Sequence, residues 1–569
     1  MRLTKGPHPT DQDRMEKGPY HSDILPVANG EHGERDAQVL ARLGKKSVLE
    51  RRFGFLSILG FTCTILITWE GSLILFTTGL TNGGSAGLVY GYLLVWIGTV
   101  AIFTTMAELA SMAPTAGGQY HWVWMLAPPR CRRFLSFIMG WLVICGWQAI
   151  LAGGGYFGGT VIVALIQLNH DDYVPELWHG TLIFWAIVLV AVFINTVTSS
   201  VLPKIESFIL VFHVIGFFAV LIPLVHLAPN RASAHDVFTQ FSNGGAWSSQ
   251  GLSFFIGLVG NVFAMLGCDS AVHMAEETKN AQVVVPWSML TTTVLNGALG
   301  FAIVIAVLFV TTDITAVLAS PTGVLGYPFM QIFYDATGSK AGASVLIAII
   351  IVMNAAGTIA FLATASRLVW AFARDRGLPG WRSVSKVCLS ITSSNCFADS
   401  LTDTLQIQPK TTIPFLAILI TSLIACLIGL INIGSSTAFN DVISLGVSSL
   451  YASYIITESL LLWRRCTGAI GKATDVASDV GEANRLVWGP FHLPGVFGVI
   501  VNAWAVLFGL VVFFFSFWPV ATPVTAARMN FSVLMTGSVV LFAVLYYVLW
   551  ARKTYEGPIV EVTPFSTVE

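Results

Sequence analysis

Thr68-Trp69-Glu70-Gly71-Ser72 sets one carboxylate, with a glycine and a hydroxyl beside it, inside a run that is otherwise uncharged from Phe53 to Ala107. An ionised side chain in lipid costs a few kcal/mol, so an acid inside an apolar run is a functional mark before it is a structural one. A second stretch repeats the composition: Leu266-Gly267-Cys268-Asp269-Ser270. Glu70 falls 17 residues after Phe53, and Asp269 falls 18 residues after Gly251. Each acid sits at a small-residue break, at a similar depth, five apolar spans apart. That is the pattern of an inverted five-helix repeat whose first helices are interrupted near the bilayer midplane. Interrupted helices turn N–H dipoles and free carbonyls toward a solute.

Outward from these breaks the chain reads as lipid-embedded. Of 569 residues, 55% are hydrophobic and only 11% charged, where a soluble chain carries roughly 25% charged residues. At about 20 residues per crossing, spans are expected near 54–79, 85–110, 134–166, 180–200, 204–225 and 251–275. Six more are expected near 286–311, 342–371, 412–432, 440–463, 497–520 and 529–551. The expected class is an all-α integral membrane protein of twelve helices. Residues 1–52 form a disordered cytosolic tail, in which 36–52 is able to form a short amphipathic helix against the membrane. Residues 53–225 and 226–463 form the two repeats, 464–551 the last two helices with the loop before them, and 552–569 a short cytosolic tail.

Orientation follows from lysine and arginine. With the N-terminus inside, 27 of the 30 fall on the cytosolic side, leaving Arg231, Lys340 and Arg528 outside. A wrong helix count would scramble that asymmetry. The net charge of −1 excludes the basic footprint of a nucleic-acid binder. The first 50 residues lack the apolar core of a secretory signal. Cys63, Cys145, Cys268 and Cys426 fall in spans, and Cys131, Cys388, Cys396 and Cys466 in cytosolic loops, so no disulfide is expected. No cysteine–histidine spacing suggests a metal, and no cofactor is expected.

Enzyme motifs fail on context. Gly83-Gly84-Ser85-Ala86-Gly87 fits a nucleophile elbow by letter, but it lies in a short outer loop with no strand before it. No phosphate-cradling loop is present to use ATP. The glycines from Gly153 to Gly159 read first as close helix packing, with Tyr156 among them a cavity-facing aromatic candidate. His213 and His273 read as structural, Glu206 and Glu458 as interfacial, and Asn354 as either an interhelical bond or a cavity group.

Three longer blocks carry a resemblance. Met106-Ala107-Glu108-Leu109 leads to Pro114-Thr115-Ala116-Gly117-Gly118-Gln119-Tyr120 after the second span. Gly267-Cys268-Asp269-Ser270-Ala271 leads through His273-Met274-Ala275-Glu276-Glu277 to Pro286 after the sixth. Ser366-Arg367, Ala373-Arg374-Asp375 and Leu378-Pro379 follow the eighth. With these blocks the chain, over roughly residues 45 to 555, resembles the amino acid–polyamine–organocation superfamily, and within it the fungal amino acid/choline permeases. The resemblance implies the five-plus-five fold with two further helices, and uptake of small amines or amino acids. One fold serves many solutes, so it does not fix which.

The expected function is a secondary active permease for an amine-bearing solute such as an amino acid, γ-aminobutyrate or choline. The expected coupling ion is H+, and a monomer in the lipid suffices. Candidate substrate-binding residues are Trp69, Glu70, Gly71, Ser72, Tyr156, Phe263, Gly267, Cys268, Asp269 and Asn354. A solute carboxylate would meet N–H groups at Gly71 and Ser72, and an ammonium the carbonyls of the second break. A quaternary ammonium would instead seek aromatic faces beside an anion. Glu108, Glu276, Glu277 and Arg367 are candidates for a cytosolic gate, paired among the arginines at 130, 132, 133, 367 and 374, with static interfacial charge as the bland alternative. A channel, or a non-transporting nutrient sensor on the same fold, is the rival class. Countertransport separates the first from a carrier, and a long signalling extension would mark the second.

Overall fold

The computed structural model describes residues 29–386, 413–471, 486–526 and 528–561. Expectations for residues 1–28, Cys388, Cys396 and residues 562–569 lie outside the described residues. The described chain is helical nearly throughout, because in lipid each backbone N–H and C=O must find its partner within the protein.

α1 (Asn29–Arg42) precedes the apolar chain, which opens with α2 (Phe55–Leu66) and α3 (Thr68–Met112). α4 (Gln119–Leu126) is short, and α5 (Arg132–Asn169), α6 (Leu177–Thr196) and α7 (Leu202–Leu227) are long. After the surface helix α8 (Ala234–Thr239), the pieces α9 (Gln250–Gly257), α10 (Val259–Phe263) and α11 (Ser270–His273) make up one interrupted segment. α12 (Ala281–Val310) is separated from α16 (Lys340–Arg374) by the short helices α13 (Ile314–Ala319), α14 (Pro321–Val324) and α15 (Pro328–Thr337). α17 (Trp381–Val384), α18 (Phe415–Gly429), α19 (Ile431–Gly434), α20 (Ser436–Cys466), α21 (Gly495–Phe515) and α22 (Ser532–Leu549) complete the helices. The strands β1 (Ile470–Gly471) and β2 (Leu486–Val487) pair in parallel.

Ten helical stretches among the described residues are long and apolar enough to cross a membrane. The protein is therefore an integral, multi-pass membrane protein. The first stretch, Phe55–Met112, has 58 residues, about 87 Å at 1.5 Å per residue and far beyond one hydrocarbon layer. It is not straight. Gly84 has φ 67° and ψ −167° inside α3, and beyond it the helix folds back on itself. A Cβ on Gly79 would lie 2.7 Å from the Leu88 side chain, and Thr68 and Tyr92 both press on Gly300.

α5 runs through the middle of the bundle, with 78% of its most apolar window buried, against 17% in α22 at the periphery. The glycines of α5 let its neighbours approach. A Cβ on Gly154 would meet Phe361 at 2.4 Å, one on Gly155 would meet Phe184 at 2.2 Å, and one on Gly159 would meet the Gly180 carbonyl at 2.4 Å.

Both described chain ends lie on one face, called the termini face below. Residues 29–52 depart from the disordered tail expected of them, because buried charge anchors them. The Asp36 carboxylate accepts the N–H groups of Asn280 (2.8 Å) and Ala281 (3.3 Å) at the N-terminus of α12, where the helix dipole favours an anion. Arg51 donates to the carbonyls of Thr278 (2.5 Å) and Ala275 (3.2 Å). Lys45 is buried and pairs with Asp375 at the end of α16. From the other end of the chain, the Ile559 N–H donates to the same Asp375 at 2.9 Å, and the Glu561 N–H donates to the Gly44 carbonyl at 2.7 Å. Burial drives the Asp375 carboxyl up, but Lys45 and Arg374 outweigh it and hold the group below its ordinary range.

Candidate functional site

The two breaks face each other at the centre. α2 ends at Ile67, which lies in the left-handed region with φ 33° and ψ 44°. For an isoleucine this costs about 1–2 kcal/mol, and such strain collects at functional sites. The first bond inside α3 runs from the Gly71 N–H to the Ile67 carbonyl, which leaves the N–H groups of Thr68, Trp69 and Glu70 as the open end of that helix. The interruption thus falls one turn before Gly71. Gly71 faces the opposite break, where a Cβ would make an ordinary contact with Ala264 at 3.5 Å. That second break spans residues 264–269, and its Gly267 has φ 104°, a conformation that suits glycine.

Between the breaks lies a cavity lined by Ile67, Gly71, Ile150, Gly154, Phe157, Phe263, Ala264, Leu266, Asn354 and Phe361. It offers about 30 Å³ for the centres of water molecules, room for one or two waters. A solute therefore enters only if the walls move apart. Asn354 is 1% exposed, yet neither atom of its amide has a partner. A buried amide without partners costs about 1–3 kcal/mol for each group left unmade. Space for it comes from Gly158, whose Cβ would lie 2.6 Å from Asn354 Oδ1.

The expected site residues divide. Gly71, Phe263 and Asn354 line the cavity. Phe263 meets Phe157 edge-on at 6.0 Å, and Tyr156 lies against Phe157 at 5.8 Å. Trp69 turns toward α7, 6.0 Å from the rings of both His213 and Phe217. Ser72 is buried, with its hydroxyl beside that of Tyr92. The Cys268 thiol donates to the Met289 carbonyl at 3.2 Å. Gly267 packs on Ile65 and Trp147.

Neither acid lines the cavity. Glu70 Oε1 lies 2.8 Å from His213 Nδ1 of α7, and both side chains are fully buried. His213 Nε2 lies 3.2 Å from Asn296 Oδ1, and Asn296 Nδ2 donates to the Cys63 carbonyl at 3.0 Å. Asp269 accepts the Tyr454 hydroxyl (2.6 Å), the Gln119 amide (2.7 Å) and the Trp147 indole N–H (3.3 Å). These donors come from α20, α4 and α5, so Asp269 ties the second break to three other elements.

On the termini face, Arg367 pairs with Glu277 at 2.8 Å and Arg374 with Glu276 at 2.9 Å. Glu108 takes a partner that loop position did not suggest. It pairs with Arg465 at the end of α20 and accepts the Leu493 N–H at 2.6 Å. Arg133 serves the C-terminal segment instead, donating to the carbonyls of Tyr555 and, at 2.5 Å, Arg552. Glu206 and Glu458, expected at the interface, are both fully buried. The Glu206 backbone carbonyl lies against Gly60 of α2, its carboxyl is buried beside the Thr64 hydroxyl, and Glu458 accepts the Thr105 hydroxyl at 3.1 Å. They lie inside because α2 and α3 cover positions that a count from span ends placed at the membrane surface.

From sequence alone His213 reads as structural, and Asn296, Tyr454 and Trp147 carry no mark as site residues. None stands beside a break in the chain. The one available signal was a polar residue within an otherwise apolar span.

The family model described as "Amino acid permease" matches residues 53–540. A choline transporter of Saccharomyces cerevisiae is 31% identical over 513 residues, covering 90% of this chain and 83% of the relative. Amino-acid permease BAT1 of Arabidopsis thaliana is 27% identical over 536 residues, covering 91% and 95%. Amino-acid permease 2 of Neurospora crassa is 26% identical over 557 residues, covering 97% and 93%.

Proposed function

This chain belongs to the amino acid permease family, and we propose that it imports a small amine-bearing solute by proton-coupled alternating access. Its coarse activity, transport of amino acids or organocations rather than enzymatic chemistry, follows from the family and its relatives. The finer reading rests on one observation above others: the buried, unpartnered amide of Asn354 in a cavity between two helix breaks. A buried amide without a protein partner at that position suits a polar solute. The open N–H groups of Thr68, Trp69 and Glu70 suit a solute carboxylate, and the carbonyls before Ile67 and along 264–266 suit an ammonium. The faces of Phe157, Phe263 and Phe361 suit the methyl groups of a quaternary amine. An amino acid and choline each find part of their chemistry here.

In this reading the chain makes twelve crossings. Phe55–Met112 supplies two, and the interrupted segment from α9 to α11 supplies one that is too short in each piece to stand out as a span. The two breaks head two inverted five-helix repeats, the termini face is cytosolic and the membrane is the plasma membrane. The cytosolic assignment is supported by the 27 of 30 lysines and arginines assigned to that side. Tags at both ends should then label only after permeabilisation.

Uptake of labelled choline and of the labelled amino acids, in a host lacking its own permeases, tests the transport reading. We expect saturable uptake of one or more of them, and Asn354→Leu should raise the half-saturating concentration about tenfold or more, the effect of 1.4 kcal/mol. Absence of uptake at normal surface expression would favour the sensor reading.

A further inference from the structure

We propose that Glu70 and His213 hold between them the single proton that is coupled to transport, and that its loss drives the first broken span away from α7. The inference rests on the proton-coupled reading above and assigns that coupling to one pair.

Hydrogen-bond direction fixes the protonation of the pair. The Cys63 carbonyl only accepts, so the nitrogen of the Asn296 amide faces it and donates at 3.0 Å. Asn296 Oδ1 therefore faces His213 Nε2 at 3.2 Å, and Nε2 must carry a hydrogen. His213 Nδ1 is left facing Glu70 Oε1 at 2.8 Å. That contact is a hydrogen bond only if one proton lies on it, on the imidazolium against a carboxylate or on the carboxylic acid against a neutral ring. Both arrangements leave the pair neutral overall.

Removing the proton leaves a lone pair against a carboxylate. Two acceptors at that distance repel, and the carboxylate is left as an uncompensated charge where neither side chain has any exposure. Glu70 Oε2 has no partner to spread the charge. The other groups within reach do not relieve it. On α2 the titratable group is Cys63, whose thiol already contacts Thr292 at 3.5 Å, with Cys268 behind it. α12 presents the uncharged Thr292 and Asn296, and α16 presents Ile349 against Gly216. Glu206, two turns away on α7, is itself buried beside Gly60. The low-cost response to deprotonation is separation of the two side chains with entry of water, which takes the proton. Glu70 belongs to the broken span and His213 to α7, so separating them moves one against the other.

The test uses the full chain in proteoliposomes, with voltage clamped at zero by potassium and valinomycin and a pH gradient as the sole driving force. Choline and an amino-acid mixture are the probes, and an entrapped pH dye reports proton entry. The wild type is expected to accumulate solute and move protons with it. His213→Gln is expected to exchange labelled for unlabelled solute but to reach only equal concentrations on both sides, with proton entry lost and no dependence of uptake on external pH. If the single variant lacks exchange, Glu70→Gln/His213→Gln, which pairs two neutral amides, is read in the same way. Accumulation with a wild-type pH profile in either variant overturns the inference, as does loss of exchange in both. Solute accumulation without proton movement in the wild type would instead overturn the coupling reading, and no uptake at all would overturn the transport reading.

Discussion

The two breaks look alike in sequence and differ in what holds their acids. At the first, Glu70 meets one titratable base and leaves an oxygen free. At the second, Asp269 is gripped by three neutral donors from three elements, and its nearest base, His273, stands off at 3.7 Å. A carboxylate ringed by neutral donors is a fastening, because each donor comes from a different element. A carboxylate facing a histidine can pass a proton to it and take it back. The first break thus pairs its acid with a base of one neighbouring helix, and the second ties its acid to three elements at once.

The largest effect expected from this contrast concerns the pairs behind the second break, which have no counterpart at the first. Arg367 is 1% exposed and its partner Glu277 is buried. Removing one member of such a pair destabilises by about 3–5 kcal/mol, since it strands a buried charge. Arg367→Met should therefore strongly lower the melting temperature in detergent, and Arg367→Met/Glu277→Gln should recover much of it. Equal melting temperatures for the single and double variants would show that the pair does not act as a unit.

Asp269→Asn comes next. It weakens the three bonds that join the second break to α4, α5 and α20, each worth about 0.5–1.5 kcal/mol. The initial uptake rate should fall by more than tenfold while protein remains folded at the surface. An accumulation defect with normal exchange, the behaviour expected of His213→Gln, would mean that the second acid also carries a proton and would erase the distinction.

The backbones of the two breaks predict a smaller difference. Gly267→Ala puts a Cβ at φ 104°, 3.2 Å from Ile65 and Trp147, and should cost about 1–2 kcal/mol. Ile67→Gly relieves comparable strain at the first break, but it deletes a buried side chain and adds unfolded-chain entropy, so the melting temperature should fall despite the relief. An unchanged or raised melting temperature in Ile67→Gly would show that the left-handed turn, not the side chain, dominates at the first break.

A pH dependence is expected beneath the second break, confined to acid conditions. His121 of α4 is buried, with Nδ1 2.8 Å from the Thr115 hydroxyl. Burial first, and Lys45 next, pull its pKa down to about 4. The unfolded chain takes up that proton near pH 6.5, so the stability present above 6.5 is lost progressively as pH falls toward 4. Thermal melts across that window should show a decline that His121→Asn flattens. An unchanged slope in the variant would place the acid sensitivity elsewhere.

The sequence by itself determined the membrane class, the two breaks and the acids beside them. Each is a one-dimensional signal: apolar run length, a small-residue cluster, a charge where charge is costly. It also marked Glu276, Glu277 and Arg367 as residues that would pair, since these lie at span ends where opposite charges gather. Tertiary structure decided the partners. His213, Asn296, Tyr454, Trp147 and Arg465 lie 83 or more positions from the acids or the residue they serve, and only helix packing brings them within hydrogen-bond reach. It also decided which side chains face the cavity. Glu70 and Asp269 sit next to the breaks along the chain but turn away from the cavity, because α7 offers one a base while α4, α5 and α20 offer the other three donors. A buried carboxylate follows its partners, and sequence distance says nothing of where those partners are.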